Sequence, residues 1–247
     1  MNTQNLIDQI TELVLAEITK MKSAEKLIPV GISARHVHLT QQEVEILFGK
    51  GHQLTFLKPL SQPGQFAAQE TVSLTGPRGT IDKVRILGPV RSGFQAELSL
   101  SDARTLGIKP PIRESGDLSG TPGLKVKGPA GELDAPQGAI IAERHAHMSE
   151  QEAAAFEIKD GDYIKVYVEG RSGGVMDRVK VRVEGSDAYD LQMDTDNAIA
   201  YAPKKSQMRR IEKIKKKKNG LRSDEHDFRK SSWDSCIYKE MSESRGI

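Results

Sequence analysis

The chain has only one cysteine, Cys236, in 247 residues. An internal disulfide framework is therefore excluded, and a reducing compartment, the cytoplasm, is expected. No apolar run approaches the roughly 20 residues needed to cross a bilayer, so no membrane partner is expected. Asp8, Glu12 and Glu17 interrupt the stretch that a secretory leader would need to keep uncharged. The sequence also lacks a Walker-type phosphate loop, a Gly-x-Ser-x-Gly elbow and a Rossmann glycine fingerprint. Its one thiol lies near the C-terminal end, which argues against a cysteine nucleophile. Lewis-acid chemistry at a bound metal is the reading that remains.

The net charge of +2 conceals two opposed halves. Residues 204–247 hold 14 Lys/Arg and 7 Asp/Glu, a net of +7, which leaves 22 basic and 27 acidic residues before them, a net of −5. The run at 215–218 is four lysines, and apolar periodicity ends near Pro203. A flexible basic tail over 204–247 is expected. Any nucleic-acid binding by it would be weak and salt-sensitive, so nucleic acid is not the expected partner.

At the other end, Leu6, Ile7, Ile10, Leu13, Val14, Ile18 and Met21 recur at helical spacing between charged residues. This predicts an amphipathic helix over 3–21, within an N-terminal segment 1–27. It either packs within its own assembly or docks on a shell or partner protein. Between Ile28 and Pro203 the texture is β-rich. Short runs at 28–32, 71–74, 83–87, 95–100, 125–127, 139–142, 163–168, 178–183 and 191–193 are separated by Gly, Pro and Asp turns. A mainly β chain built as small barrels or sandwiches follows.

The same segment repeats itself. Arg35-His36-Val37-His38 returns as Arg144-His145-Ala146-His147, an offset of 109. Gly79-Thr80-Ile81-Asp82-Lys83-Val84 returns as Gly174-Val175-Met176-Asp177-Arg178-Val179, an offset of 95, and the same offset aligns Glu97 with Gln192. Residues two apart on a strand share a face, so each pair of imidazoles can aim at one point. Thr40-x-x-Glu43 and Ser149-x-x-Glu152 then have the form of capping boxes opening helices. Lone His-x-His pairs are often ordinary surface or core histidines. Packing alone does not account for four of six histidines falling in two matching frames. We read His36, His38, His145 and His147 as ligands of a divalent metal, with Glu97 completing the first set. Arg91 follows Gly88-Pro89-Val90 and either binds an oxyanion through its forked guanidinium or is a surface arginine.

These residues resemble the PduL-type phosphate propanoyltransferase family, the phosphotransacylases of bacterial microcompartments and propanediol degradation. The likeness is carried by residues 32–39 (Ile-Ser-Ala-Arg-His-Val-His-Leu), 62–65 (Gln-Pro-Gly-Gln), 88–91 (Gly-Pro-Val-Arg), 113–117 (Arg-Glu-Ser-Gly-Asp), 142–148 and Asp194-Thr195-Asp196. The resemblance implies two β-barrels with short capping helices: residues 28–34 with 139–203 in the first, 35–138 in the second. It implies acyl transfer between coenzyme A and phosphate over two zinc ions, one held by His36, His38 and Glu97, the other by His145 and His147. Arg91 would bind phosphate as the catalytic residue, and Ile32, Ser33, Ala34, Arg78 and Arg85 would line the coenzyme A site. Propanoyl or acetyl groups would be the acyl cargo, and the N-terminal helix would address shell or cargo proteins of a microcompartment lumen.

The sequence departs from that pattern at Gln192, where the family has a histidine ligand, which predicts a weaker second metal site. Ile199 likewise stands where an asparagine would touch coenzyme A. A metal-dependent thioester hydrolase, or a binding and scaffold member with a weakened site, are the alternative readings.

Overall fold

The computed structural model describes residues 10–14, 27–169, 172–183, 189–202 and 208–214. Residues 10–14 are helical, and Ile10, Leu13 and Val14 are exposed. The rest of the N-terminal helix expected over 3–21 lies outside the described residues, as does the chain after 214.

In chain order, β1 (Leu27–Ile32) and β2 (His36–His38) lead into α1 (Gln41–Phe48). A hairpin region follows with β3 (Phe56–Pro59), β4 (Phe66–Thr75) and β5 (Thr80–Gly88), then β6 (Gln95–Glu97) and α2 (Leu100–Leu106). Four short strands come next: β7 (Ile112–Arg113), β8 (Leu124–Lys127), β9 (Glu132–Ala135) and β10 (Ala139–Ala142). The pattern then recurs as β11 (His145–Met148), α3 (Glu150–Ala155), β12 (Tyr163–Val168), β13 (Gly174–Val183), β14 (Asp190–Met193), α4 (Thr195–Tyr201) and β15 (Met208–Lys213).

The structure is mainly β, as expected, in two sheets with short helices. One sheet runs β1-β14-β11-β13-β12-β15, and β15 returns to β1 to close a barrel. The other has nine strands, ordered β7-β10-β6-β2-β5-β4-β8-β9 with β3 on β4. Strand alternation explains the interiors. In β12 every second residue (Ile164, Val166, Val168) is buried and joins Ile28, Met148, Val179 and Leu191 inside the barrel. Val37, Leu74, Ile86, Leu106 and Val126 fill the second sheet's core.

One expectation needs correcting. Residues 208–213 are not tail but β15, paired antiparallel with both β1 and β12. Without it the barrel would expose two rows of unpaired backbone groups, and Ile211, which is 3% exposed, would lose its interior seat. The basic residues around Ile211 hid a strand whose reason for forming is tertiary.

The duplication is structural as well as sequential. β2 lies antiparallel to β6 with His36 opposite Glu97, and β11 lies antiparallel to β14 with His145 opposite Gln192. β2 runs parallel to β5 and β11 parallel to β13. Lys83 and Arg178, equivalent by the 95-residue offset, both adopt φ of +55°, a left-handed conformation that non-glycine residues rarely hold. The capping boxes read from sequence are present: Thr40 with Glu43 starts α1, and Ser149 with Glu152 starts α3. A third, Ser99 with Asp102, starts α2.

Candidate metal and oxyanion site

Each histidine pair sits on a three- or four-residue strand, paired on both sides, that a capped helix ends at once, so the imidazoles stand where a central strand gives way to a helix. The two pairs are nearly superposable in geometry. The rings of His36 and His38 are 5.1 Å apart and perpendicular; those of His145 and His147 are 5.0 Å apart at 86°. His36 Nδ1 donates to the Ala34 carbonyl at 2.9 Å, and His145 Nδ1 to the Glu143 carbonyl at 2.8 Å. That bond fixes the tautomer and turns each Nε2 lone pair outward, as a metal ligand requires.

His36, His38 and Glu97 bring one ligand atom each within 4.8 Å of one another. Among the described residues this is the one such group of three or more His, Cys, Asp or Glu. Its chemistry suits a divalent ion. Burial, then the nearby His36 and Arg91 charges, lower the His38 pKa to about 3, so its imidazole is neutral at neutral pH. Burial, then the charge of Arg182, lower that of His145 to about 4. For Glu97 burial favours the protonated acid, but His36, His38 and a hydrogen bond from Ser115 outweigh it and hold the carboxyl below its ordinary value. Two imidazoles and a carboxylate form a donor set that zinc or a similar ion accepts.

Glu97 is held from behind. Gln95 Nε2 donates to Glu97 Oε1 and to Ser115 Oγ, both at 2.7 Å, and the Gly116 N–H donates to Gln95 Oε1 at 2.8 Å. Gly116 has φ of +97°, which a side chain would strain, so the turn that aims this N–H calls for glycine. Arg91 joins the same network, donating to Ser115 Oγ at 3.3 Å and to Gln65 Oε1 at 3.4 Å. The turn at residues 62–65 and the loop at 113–117, which carried no chemistry by sequence physics alone, thus supply the residues that orient Arg91 and Glu97.

The second pair is differently served. Opposite His145 is Gln192, whose amide donates to Asp190 and, at 3.3 Å, to Ser61 Oγ in the loop between β3 and β4. Asp190 Oδ1 is buried with no hydrogen-bond partner among the described residues. A Cβ at Gly31 would stand 2.9 Å from Asp190 Oδ2 and 3.2 Å from Gln192 Nε2, so glycine there makes room for this carboxylate–amide pair. Relative to the first patch, where Gln95 faces His38 and Glu97 faces His36, carboxylate and amide have exchanged places.

The sheets meet across this region. A pocket is lined by Ser33, Ala34 and Glu97 together with His145, Arg144 and Gln192, so both histidine frames reach it. Lys180 pairs with Glu114, and the Ser101 N–H donates to Asp196 Oδ2 at 2.9 Å, each tying one sheet to the other. Of the other residues singled out from sequence, Ile32 is exposed at the end of β1, next to Ser33. Arg85 donates to the carbonyls of Ala68 at 3.0 Å and Gln69 at 2.7 Å, and the aliphatic stem of Arg78 packs against Gly107. Neither arginine lines the pocket. Sequence reading missed Arg182, aligned with His147 on the neighbouring strand and close enough to act on both His145 and Arg91. Its repeat counterpart is Leu87, so the internal alignment gave no sign of it.

The family model for phosphate propanoyltransferase matches residues 29–204. The chain belongs to the phosphate propanoyltransferase family. It is similar to the phosphate propanoyltransferase of Rhodobacter capsulatus, 44% identical over 212 residues, which is 85% of this chain and 99% of that protein. The protein of that name from Thermotoga maritima is 48% identical over 185 residues, 74% of this chain and 88% of its own. That of Salmonella typhimurium is 44% identical over 192 residues, 76% and 91% respectively. As a phosphate propanoyltransferase family member the chain is an acyltransferase, and no helix among its described residues is long and apolar enough to cross a membrane.

Proposed function

We propose that this chain transfers a short acyl group, propanoyl or acetyl, reversibly between coenzyme A and inorganic phosphate at a zinc centre. The observation that carries the reading is the convergence of His36, His38 and Glu97 beside Arg91, in a chain whose relatives are named for phosphate propanoyltransfer. A tightly held zinc belongs on those three ligands; His145 and His147 offer a second, weaker position because Gln192 brings an amide where a further imidazole would bind better. Bound zinc supplies Lewis acidity toward oxygen and a positive charge near the departing sulfur.

The chain's own residues do the rest. Arg91, oriented by Ser115 and Gln65, presents parallel N–H donors to phosphate oxygens and holds the anion for attack. A phosphate oxygen bonds to the thioester carbonyl carbon, charge collects on the carbonyl oxygen, and the C–S bond breaks to release the coenzyme A thiolate. The guanidiniums of Arg91 and Arg182 favour the anionic state between. Ser33 and Ala34 line the pocket and Ile32 borders it, which suits contacts to the coenzyme A arm; Arg78 and Arg85 would join them only with their side chains redirected. Residues 28–34 with 139–203 and residues 35–138 are the two barrel domains of this reading, with β15 added to the first. Cytoplasmic residence fits the single cysteine, and the apolar residues of the helical segment at 10–14 suit docking to shell or cargo proteins of a microcompartment.

The test is a thiol-release assay with acetyl- and propanoyl-coenzyme A, with and without phosphate and chelator. Thiol release that needs phosphate and is lost with chelator supports the reading; phosphate-independent release overturns it in favour of hydrolysis. Arg91→Ala should raise the KM for phosphate about 10- to 100-fold, the worth of one charge-assisted contact.

A further inference from the structure

The two Arg-His-x-His frames match in sequence and backbone, yet their arginines differ in what they touch. Arg35 is locked: its Nη1 donates to Asp102 Oδ1 at 2.7 Å, and Asp102 is buried as the third residue of α2. Arg144 is its counterpart. The residue 95 positions after Asp102 is Asn197, the third residue of α4. Asn197 carries no charge to offer. Its N–H and Nδ2 instead occupy both oxygens of Asp194, at 2.7 and 2.8 Å. Glu143, next in sequence to Arg144, accepts the Tyr163 hydroxyl at 3.4 Å. Among the described residues no carboxylate pairs with Arg144. Its side chain is exposed while it lines the same pocket as Glu97 and His145. An internal duplication has kept the cation and dropped its partner.

We propose that Arg144 is an anion-recognition residue at the mouth of the cleft, holding a phosphate group of the coenzyme A moiety. The assignment rests on the acyl-coenzyme A reading above. Two observations favour the coenzyme's phosphates over inorganic phosphate. Inorganic phosphate belongs with Arg91, whose charge acts on His38 and Glu97 within the cleft. The pocket interior is a cavity of only about 30 Å³, so the bulk of a nucleotide stays outside, on the side where the exposed Arg144 stands. An unpaired guanidinium forms two parallel bonds to such a group without first breaking an ion pair.

The test is calorimetric titration of the full-length, zinc-loaded chain with coenzyme A, dephospho-coenzyme A and inorganic phosphate. Arg144→Gln should weaken coenzyme A binding about 10-fold and leave phosphate binding within about twofold; Arg144→Lys should recover part of the loss. Asn197→Asp supplies the carboxylate that Arg35 already has, so it should weaken coenzyme A binding several-fold in the parent chain and add nothing in the Arg144→Gln background. Dephospho-coenzyme A assigns the group, since retained sensitivity places Arg144 on the diphosphate and lost sensitivity on the ribose phosphate. Unchanged coenzyme A affinity in Arg144→Gln, a loss of phosphate affinity instead, or full additivity with Asn197→Asp overturns the proposal. Turnover by the parent chain keeps the two readings apart. Binding without acyl phosphate formation removes the reaction and leaves Arg144 assigned; normal turnover with an indifferent Arg144→Gln removes Arg144 alone.

Discussion

Glu97 and Gln192 occupy the same place in the two halves of the duplicated fold, each directly across an antiparallel pair from the first histidine of its frame. One is a carboxylate that converges with its histidines and the other an amide turned toward Asp190 and Ser61. The halves share a backbone and differ in what they can bind.

Metal content should reflect that difference. After dialysis against a weak chelator, the protein should retain one zinc per chain, and Gln192→His should raise the count to two. Elemental analysis decides it, and two equivalent tight ions in the unmodified chain would refute the assignment.

Gln95 is the hinge of the first site, bridging Glu97 to Ser115 and receiving the Gly116 N–H. Gln95→Ala should lower zinc affinity about 10- to 100-fold, the usual cost of losing a residue that orients a ligand. Competition with a chromophoric chelator measures this directly. The variant should remain folded, because Gln95 belongs to neither apolar core.

Acid stability should depend on Glu70, on β4, which β5 separates from the strand of His36. Burial raises its pKa, but hydrogen bonds with His52 at 2.9 Å and with the Thr55 backbone and hydroxyl bring it below the ordinary carboxylate value. A depressed folded pKa means that the stabilisation is complete above the unfolded value near 4.5 and is lost as pH falls through the folded value. Glu70→Gln should therefore lower thermal stability at neutral pH and narrow its gap to the parent chain as the pH drops. A gap independent of pH would exclude the carboxylate as its source.

Truncation should separate strand from tail. A chain ending at residue 214 should melt close to the full-length protein. One ending at 207 loses β15, including the burial of Ile211, worth about 1.5–3 kcal/mol, and the pairing of β1 and β12 to it. Its melting temperature should fall by at least about 5 °C.

The parts of this molecule legible in its sequence were those set by local rules. Two-residue spacing put each histidine pair on one face, the Thr40 and Ser149 boxes marked where helices begin, and the 95-residue offset paired Glu97 with Gln192. What stayed hidden depends on distant partners. Ser115 and Gln65 matter because loops far apart in sequence converge on Arg91, and nothing in their neighbours announces it. Arg182 was concealed for a related reason, since the repeat aligns it with Leu87 and a sequence comparison weighs what is shared. The last strand looked like tail because Ile211, buried inside the barrel, sits among charges in the sequence.

Because Leu27 lies opposite Arg210, the barrel's earliest and latest strands are side by side. During synthesis the barrel must wait for almost the whole described chain before its seam can be sewn, while the nine-stranded sheet, complete by Ala142, can form ahead of it. The same seam sets the start of β1 and the end of β15 side by side at one edge of the barrel.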